Sequence, residues 1–335
     1  MIFGLTGTNA AGKGEVARLL VEGGFQYFSL SDEIRDELRV RGLEPGRDIM
    51  IEEGRRLRRE GGADALARRV VRRFTQGRNQ VVDSVRNPEE VRFLRTCGDF
   101  FLLVVDAPVE VRFERARARM RTGDPMDLAG FRHAEERESN STDPEAQQLP
   151  ATRALADFAV VNDAGIEELT ARVRAVFRDA AARCHRPDWD RYFMEIAEVV
   201  STRSSCAKRH AAAVIVRDRR IISTGYNGTP RGVDNCAEGG CERCLSLSAS
   251  GVDLGECLCS HAEENAIVQA AFHGVSVRGA TLYSTFQPCV LCSKMILNSG
   301  LAEVVFRDPY PLPPAASHLF EEAGVTVRRL APPVA

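Results

Sequence analysis

The sequence contains little lysine, few aromatic residues and no long apolar run. Only Lys13, Lys208 and Lys294 are lysines among 45 basic residues, so arginine is the default cation and a lysine inside a motif is informative. No apolar stretch reaches the ~18 residues expected of a membrane-spanning helix. The first residues also lack the basic segment and apolar stretch of a secretory signal. We therefore expect a cytoplasmic protein without a membrane partner.

The charge balance and the aromatic content argue against nucleic acid as a partner. The net charge is −2 and aromatic residues make up 7% of the chain, whereas a polynucleotide groove needs a basic surface lined by aromatic side chains. Short arginine runs occur, but in a chain so rich in arginine they are typical of a solvated surface. A small-molecule partner is expected.

The length of 335 residues exceeds that of one typical domain and indicates two. In the first half, apolar strands alternate with amphipathic helices, a pattern typical of a parallel α/β sheet covered on both faces. These strands are predicted at Ile2–Leu5, Gln80–Val85, Phe100–Asp106 and Phe158–Asn162. A second alternating unit begins at Trp189, after a linker at 180–188. We predict an α/β protein with domains at 1–182 and 187–330.

Cysteine, by contrast, is abundant, and seven of the ten cysteines lie between Cys236 and Cys292. In a reducing compartment, such a cluster with histidine nearby favours a metal site over disulfides. The stretch 257–266, CLCSHAEENA, combines two thiols, an imidazole and two carboxylates. A purely structural interpretation is a capping box, in which Ser260 and Glu263 close the first turn of a helix.

A second stretch shifts the balance towards a metal. Pro288 is predicted at the first position of a helix, which places Cys289 and Cys292 on one face of the first turn. His261, Cys289 and Cys292 can then converge from two helix N-termini. Three protein ligands leave a tetrahedral zinc ion one open position, which is the arrangement of a catalytic zinc.

Glu263 would supply the base that such a centre needs. Two thiolates neutralise the zinc charge, so water is acidified less there than at a site with three histidines. Glu263, which is not itself a ligand, is placed to take a proton from water and pass it to a departing nitrogen. The two stretches together match H-x-E…P-C-x-x-C, the signature of zinc-dependent nucleobase deaminases.

Nearly all of residues 187–330 resembles the deoxycytidylate (dCMP) deaminase family. The resemblance rests on DWDRYFM (188–194), SSC (204–206), AVIV (213–216), TGYNGTPRG (224–232) and HAEENAI (261–267). It implies a cytidine deaminase-like α/β/α domain with a mixed sheet, and hydrolysis of dCMP to dUMP and ammonia. It also implies substrate contact by Asn227, a homo-oligomer, and dCTP and dTTP as effectors.

The substrate phosphate requires a cation. Arg203, just before the SSC turn, is the candidate because a guanidinium binds phosphate through two hydrogen bonds. The alternative is an ordinary solvated arginine.

The loop between Asn227 and Cys259 is long and aperiodic, and such loops are usually functional or held together by something. A structural zinc would offset the entropy of closing it. The resemblance implies that such a second zinc, found in some members of the family, would bind at positions like Cys206, Cys236 and Cys259. Its candidate ligands are Cys206, Cys236, Cys241, Cys244, Cys257 and Cys259. Spacing does not select four of these six, and free buried thiols are the alternative.

The first half opens with a predicted phosphate-binding loop. The segment GTNAAGKG fits G-x4-G-K, follows an apolar strand and begins a helix. Nucleotide binding is predicted at Gly7, Gly12, Lys13 and Gly14. ATP and Mg²⁺ are the candidate ligands. Gly14 stands where Ser or Thr usually coordinates Mg²⁺, so the magnesium geometry and phosphoryl transfer both stay open.

This half resembles nucleoside monophosphate kinase-like and dephospho-CoA kinase-like domains, which implies a parallel sheet within three α/β/α layers. Asp32 and Arg35 occupy matching places in the monophosphate-binding helix, and Asp83 and Arg86 follow a strand where Mg²⁺ and phosphate would bind. The arginine-rich Val111–Arg121 looks like a lid. An active kinase, a nucleotide sensor and a structural relic are the three alternatives.

The sequence therefore predicts a zinc-dependent dCMP deaminase fused to a nucleotide-binding domain. Two alternatives stay open. One is a deaminase of cytidine or of a polynucleotide, and the other is a nucleotide kinase whose zinc domain senses nucleotides.

Overall fold

The structure is a computed structural model that describes residues 1–119, 127–139, 146–246, 256–310 and 315–331. The chain divides into two units, Met1–His185 and Arg186–Ala335, each with its own sheet. Both units alternate strands with helices, which confirms the α/β class. Within the described residues, no helix is both long and apolar enough to span a membrane.

The first unit contains a five-stranded sheet in the order β2-β3-β1-β4-β5. All neighbouring strands are parallel, as the sequence predicts. The strands are β1 (Ile2–Thr6), β2 (Gln26–Ser29), β3 (Gln80–Asp83), β4 (Phe100–Asp106) and β5 (Phe158–Val161). The short edge strand β2 is absent from the sequence prediction because it offers no continuous apolar run.

Helices cover both faces of this sheet. They are α1 (Lys13–Glu22), α2 (Leu30–Val40), α3 (Arg47–Gly61), α4 (Ala65–Val71), α5 (Pro88–Arg95), α6 (Val109–Arg119), α7 (Leu128–Ser139), α8 (Leu149–Ala154) and α9 (Ile166–Arg183). One core lies between the sheet and helices α1 and α9, and another lies between the opposite face and helices α2 to α5. Residues 120 and 121 of the predicted lid lie outside the described residues.

The second unit contains a five-stranded sheet in the order β10-β9-β8-β6-β7. Strand β6 pairs antiparallel with both of its neighbours, whereas β8, β9 and β10 run parallel, so the sheet is mixed, as the resemblance implied. The strands are β6 (Ala212–Arg217), β7 (Arg220–Tyr226), β8 (Thr281–Phe286), β9 (Glu303–Asp308) and β10 (Thr326–Arg329).

Two helix layers enclose the second sheet. The helices are α10 (Trp189–Ser201), α11 (Glu242–Leu245), α12 (Ala262–Phe272), α13 (Val290–Ser299) and α14 (Ala315–Glu322), with a short 3-10 turn at Cys236–Glu238. Helix α10 packs on one face, and α12, α13 and α14 pack on the other. The N-termini of α12 and α13 carry the residues predicted to bind zinc. Residues 247–255 of the predicted cysteine loop lie outside the described residues.

Candidate metal centre and phosphate-binding site

Helix α12 lies unusually close to strand β7 because Gly225 has no side chain. A Cβ at this position would stand 2.3 Å from the carbonyl oxygen of Ala262 and 2.3 Å from the backbone nitrogen of Ala266. The Ser223 hydroxyl donates to the Ala266 carbonyl (2.7 Å), and the Asn265 amide donates to the Tyr226 carbonyl (2.8 Å). The first turns of α12 are therefore fixed directly on the sheet.

The capping of α12 differs from the prediction. The N-cap is His261, not Ser260, and the helix begins at Ala262. The His261 backbone N–H donates to Oε2 of Glu264 (3.1 Å), so Glu264 provides the carboxylate of the capping box. The predicted Ser260–Glu263 box is wrong by one residue, and Glu263 has no capping role. Ser260 instead forms a two-bond antiparallel bridge with Gly228.

Helix α13 also begins later than predicted. Its N-cap is Cys289 and its first residue is Val290, so the prediction that Pro288 occupies the first helical position is wrong. Cys289 and Cys292 are therefore the N-cap and the third residue of the first turn. Their spacing of three residues still brings both thiols to the same side of the helix end.

The three predicted zinc ligands come together in the structure. Nδ1 of His261 lies 3.3 Å from Sγ of Cys289 and 3.3 Å from Sγ of Cys292. The donor atoms of these residues all lie within 4.8 Å of one another. Cys292 is buried and the other two are half-buried, so the group has one side towards solvent.

Glu263 lies beside this group and is itself buried, with 7% of its surface exposed. Its Oε2 lies 3.6 Å from Sγ of Cys292, and its Oε1 accepts a hydrogen bond from the Ser284 hydroxyl (3.1 Å). Ser284 is a site residue that the sequence interpretation missed. Sequence spacing offered no signal for this contact, because Ser284 lies on a strand and Glu263 on a helix, 21 residues apart.

Burial and the close thiols shift the pKa values of these groups. Burial raises the pKa of the Glu263 carboxyl. Hydrogen bonding by the Cys292 thiol and by His261 lowers the pKa of Cys289 to about 4. The Cys289 thiolate raises the pKa of His261 to about 9. The group therefore concentrates negative charge on sulfur, which favours a cation among the three donors.

Asn227, predicted to contact the substrate, is already bound to its own loop. Its Oδ1 accepts from the backbone N–H of Ala211 (2.8 Å) and lies 2.7 Å from the Ser204 hydroxyl. Its Nδ2 donates to the carbonyl of Arg209 (2.8 Å). One Nδ2 hydrogen is left for another partner. Arg203, the predicted phosphate ligand, is exposed after the end of α10.

The six cysteines proposed for a second zinc are brought together as one group with five buried members and one half-buried member. The SSC turn contributes one of them, and the segments before α12 contribute the others. The members are Cys206, Cys236, Cys241, Cys244, Cys257 and Cys259.

In the first unit, the predicted phosphate loop connects β1 to α1. The backbone φ is +136° at Gly7 and +97° at Gly12, values that glycine adopts without strain. Nζ of Lys13 donates to the carbonyl oxygens of Gly7 (2.9 Å) and Thr8 (2.8 Å). Burial, assisted by the Arg86 charge, lowers the pKa of Lys13 to about 8.

A cavity of about 810 Å³ opens above this loop. Six of the eight residues predicted to bind nucleotide in this unit line the cavity, namely Gly12, Lys13, Gly14, Arg35, Asp83 and Arg86. Gly7 and Asp32 are not among the lining residues; Asp32 forms an ion pair with Arg35. The sequence interpretation missed Asn9, Tyr27 and Asn162. Arg115 and Arg119 of α6, within the predicted lid, also line the cavity.

Comparison with known families assigns one family model to each half. The model described as "Cytidine and deoxycytidylate deaminase zinc-binding region" matches residues 187–308. A model described as an AAA domain matches residues 4–140.

Individual relatives agree with this assignment. Deoxycytidylate deaminase of Schizosaccharomyces pombe is 37% identical over 254 residues, which are 76% of this chain and 77% of that protein. This alignment is longer than the unit Arg186–Ala335, so it extends into the first unit. Deoxycytidylate deaminase of Mycobacterium phage D29 is 42% identical over 126 residues, 36% of this chain and 95% of that protein.

Among solved structures, the dCMP deaminase from cyanophage S-TIM5 in complex with dCMP and dUMP is 31% identical with a TM-score of 0.36. That match covers 44% of this chain and 99% of the cyanophage chain. The alignment with the yeast protein extends over both units, and residues 187–308 match a deaminase family model. These two findings identify the family of the chain. It belongs to the deoxycytidylate deaminase family.

Proposed function

We propose that the chain hydrolyses dCMP to dUMP and ammonia with zinc at its catalytic centre. The observation that carries this proposal is the convergence of His261, Cys289 and Cys292 beside the buried carboxylate of Glu263. The substrate follows from family membership, because the yeast and phage relatives are named deoxycytidylate deaminases.

The three donors fit a zinc ion. One imidazole nitrogen and two thiolates are ligands that zinc prefers, and these donors already lie within 4.8 Å of one another. Among the described residues, no fourth donor belongs to this group. Three protein ligands are typical of a catalytic zinc rather than a structural one.

His261, Cys289 and Cys292 would hold the zinc ion, whose Lewis acidity would lower the pKa of water so that it could act as a nucleophile near neutral pH. Glu263 then carries the protons. Its carboxylate accepts a proton from the water that attacks C4 of cytosine, and it returns that proton to the amino nitrogen as the C4–N bond breaks. Ser284 orients the carboxylate through its hydrogen bond to Oε1. Because Glu264 is occupied by capping, it does not compete for this role.

The deoxyribose phosphate would be recognised by the loop that carries Asn227 and by Arg203. Asn227 can offer only its remaining Nδ2 hydrogen, because its other polar positions hold the loop. If Arg203 binds the phosphate, Arg203→Ala is expected to raise KM for dCMP about tenfold or more and to leave activity on the free nucleoside unchanged. Equal KM values for dCMP in the variant and the parent would show that Arg203 does not bind the phosphate and is an ordinary solvated arginine.

The decisive experiment is ammonia release from dCMP, cytidine, dCTP and an oligonucleotide. We expect kcat/KM to be highest for dCMP and zinc content to track activity. A higher kcat/KM for cytidine or for the oligonucleotide would mean that dCMP is not the preferred substrate, although the proposed catalytic centre would still hold. No ammonia from any of the four would contradict the proposed function.

We further propose that the domain at 1–182 binds a nucleotide through its phosphates, and that the domain at 187–330 carries the deaminase. The supporting feature is the cavity that collects Lys13, Arg35, Asp83 and Arg86 around the phosphate loop. Phosphoryl transfer is the second candidate, since Asp83 stands where a carboxylate could hold Mg²⁺ through water. Gly14 provides no hydroxyl for that ion, which favours binding over turnover.

Calorimetric titration with ATP tests the binding proposal. Lys13→Ala is expected to abolish ATP binding, whereas Arg18→Ala should leave it intact. Arg18 lies on the same helix and pairs with Glu15 and Glu22, and it is not among the described residues that line the cavity. ADP formation across a panel of nucleoside monophosphates would establish a kinase. If Lys13→Ala still binds ATP, the phosphate loop is not the binding site.

Family membership also leads us to propose a homo-oligomer whose deaminase activity responds to dCTP and dTTP. Sedimentation analysis tests the assembly, and initial rates with each triphosphate test the response. A monomer whose rate is insensitive to both nucleotides would contradict this part of the proposal.

A further inference from the structure

A group of six cysteines in the second unit has no part in the proposed catalytic centre. We name it the cysteine cluster, and its members are Cys206, Cys236, Cys241, Cys244, Cys257 and Cys259. All six are free thiols. Within the part of the chain that the structure describes, this buried cluster contains no aliphatic or aromatic side chain. A core built from sulfur alone indicates a ligand set rather than ordinary hydrophobic packing.

The sulfur atoms form two overlapping groups of four, and within each group all ligand atoms lie within 4.8 Å of one another. The first group is Cys206, Cys236, Cys244 and Cys259, and the second is Cys241, Cys244, Cys257 and Cys259. Cys244 and Cys259 belong to both groups. The other four cysteines belong to one group each.

The sulfur–sulfur distances suit tetrahedral zinc coordination. Four sulfurs at about 2.3 Å from zinc stand roughly 3.8 Å apart. Sγ of Cys244 lies 3.9 Å from that of Cys206, 3.6 Å from that of Cys257 and 4.0 Å from that of Cys259. The spacing therefore matches zinc coordination on both sides of Cys244.

We propose that the cysteine cluster binds two zinc ions that share the thiolates of Cys244 and Cys259. One ion is completed by Cys206 and Cys236, and the other by Cys241 and Cys257. Binding releases the thiol protons and changes no oxidation state. Repulsion between the two cations across their shared edge shortens that edge, so Cys244 and Cys259 are expected to approach each other on loading.

Two ions account for the composition of the cluster better than one. A single zinc would use four cysteines and would leave two further thiols, at least one of them buried, without a role. Adding a second zinc together with those two thiolates leaves the formal charge of the complex unchanged. All six cysteines then act as ligands without a further net charge on the complex.

Backbone N–H groups point at the sulfurs that bind only one ion. The Ala207 N–H donates to Sγ of Cys236 (3.5 Å). The backbone of Lys208 and Arg209 donates to Cys206, and that of Leu258 donates to Cys241, so three of the four sulfurs that bind one ion have such a donor. A thiolate bound to one cation retains more negative charge than a bridging thiolate, so these are the sulfurs that donors stabilise most.

The cluster holds two segments that lead to the proposed catalytic centre. Cys259 is two residues before His261, with the Ser260–Gly228 bridge between them. The Cys206 N–H donates to the Ser204 hydroxyl (3.2 Å), which in turn contacts Asn227. Loading the cluster would therefore fix the positions of a zinc ligand and of the substrate loop.

Zinc content tests the inference independently of catalysis. The protein is expected to contain three zinc ions per chain, one in the His261 group and two in the cysteine cluster. A Cys289→Ala/Cys292→Ala variant should retain two. One ion or none in this variant overturns the inference. If the parent and this variant hold the same two ions, the proposed catalytic zinc fails while the cluster stands.

Bridging is tested by cadmium NMR with a spin-active isotope, on the Cys289→Ala/Cys292→Ala variant loaded with cadmium. Two resonances split by mutual cadmium–cadmium coupling are expected, since only a shared thiolate transmits that coupling. Two resonances without coupling would overturn the shared ligands.

Single substitutions identify the ligands. Cys206→Ser and Cys241→Ser should each weaken retention of one ion by at least about tenfold, and Cys97→Ser, outside the cluster, should have no effect. If a single zinc used the first group of four, Cys241→Ser would change nothing, and that result would overturn the inference. Where a variant does not fold, the zinc content of the parent protein decides.

Discussion

Glu263 and Glu264 are adjacent carboxylates with separate tasks. Glu264 accepts the backbone N–H of His261 and caps helix α12, whereas Glu263 is buried beside the thiols and the Ser284 hydroxyl. The capping residue and the proposed proton carrier are thus neighbours in the sequence. Their different roles make the same substitution informative at both positions.

Glu263→Gln is expected to yield a folded, zinc-loaded protein whose kcat is lowered by about 10²–10⁴-fold, because glutamine cannot carry a proton. Glu264→Gln is the matched control, since glutamine still closes a capping box. The measurements are ammonia release, zinc content and thermal unfolding. Deamination at the parental rate by Glu263→Gln would return Glu263 to a structural role.

Ser284→Ala tests how Glu263 is oriented. Loss of a hydrogen bond to a charged group is worth about 1.5–3 kcal/mol, so we expect kcat to fall by roughly 10–100-fold with zinc content unchanged. Ser223→Ala removes another buried hydroxyl, one that bonds only the helix carbonyl of Ala266. It should lower stability without lowering kcat. If both variants deaminate at the parental rate, Ser284 does not orient Glu263 for proton transfer.

The pH dependence of nucleotide binding should report on Lys13. Burial lowers the pKa of Lys13 from 10.5 to about 8 in the nucleotide-free protein, and only the protonated ammonium attracts phosphate. Affinity for ATP is therefore expected to stay constant below pH 8 and to fall as the pH rises above it. Lys13→Arg should bind without this decline, because arginine stays charged. Calorimetric titration across this range measures both; a flat profile for Lys13 would contradict the prediction.

At the level of single residues, spacing predicted the convergence of the three proposed zinc ligands but not their surroundings. His261, Cys289 and Cys292 are found together because helix N-termini bring residues three apart to one side. The capping assignment was wrong by one position, since the same carboxylate-rich run permits two helix starts. Ser284 was missed because its contact with Glu263 joins a strand and a helix that are far apart in sequence.

Among secondary-structure elements, the contact between β7 and α12 sets the position of the proposed centre. Gly225→Ala would place a methyl group 2.3 Å from two backbone atoms of α12, and backbone atoms cannot turn aside. We expect a loss of about 3 kcal/mol in stability and weaker zinc binding at the His261 group. The measurements are denaturant unfolding and zinc affinity.

Gly228→Ala is the control for that change. Its nearest neighbour would be the Ser205 hydroxyl at 3.5 Å, an ordinary contact, so stability should change little. Comparable losses in the two variants would show that α12 is not held by close approach to Gly225.

Most elements were predictable because apolar runs and amphipathic periodicity recur in both halves. Strands β4 and β6 are buried along nearly their whole length and appear in the sequence as continuous apolar segments. Strand β2 has only four residues with mixed burial, so no periodic signal marks it. The pairing order of the strands was not predicted, because hydrophobic patterns alone do not select neighbours.

For the whole molecule, each unit encloses its own cores, which predicts two separate unfolding transitions. ATP should raise the midpoint of one transition only, since a ligand stabilises the unit that binds it. Removal of zinc by a chelator should lower the other. Differential scanning calorimetry measures both effects. A single transition that responds to both treatments would contradict this independence.

At this scale the sequence indicated two units and a cysteine-rich loop, but not how its thiols are shared. Spacing along the chain does not indicate whether one cysteine could serve two ions. The shared positions of Cys244 and Cys259 emerge only when the sulfurs are placed in space. Asn227 is a similar case, because its bonds to Arg209 and Ala211 join segments that sequence alone does not pair.

The short segment that enters α12 gives every residue a different partner. Cys259 belongs to the cysteine cluster, Ser260 bridges to Gly228, and His261 contacts the two thiols. Ala262 lies against Gly225, Glu263 accepts from Ser284, and Glu264 caps the helix. One inserted or deleted residue would shift all of these assignments at once. A substitution in this segment would disturb one of these partners, whereas a change in its length would disturb the cysteine cluster, the proposed metal centre and the helix cap together.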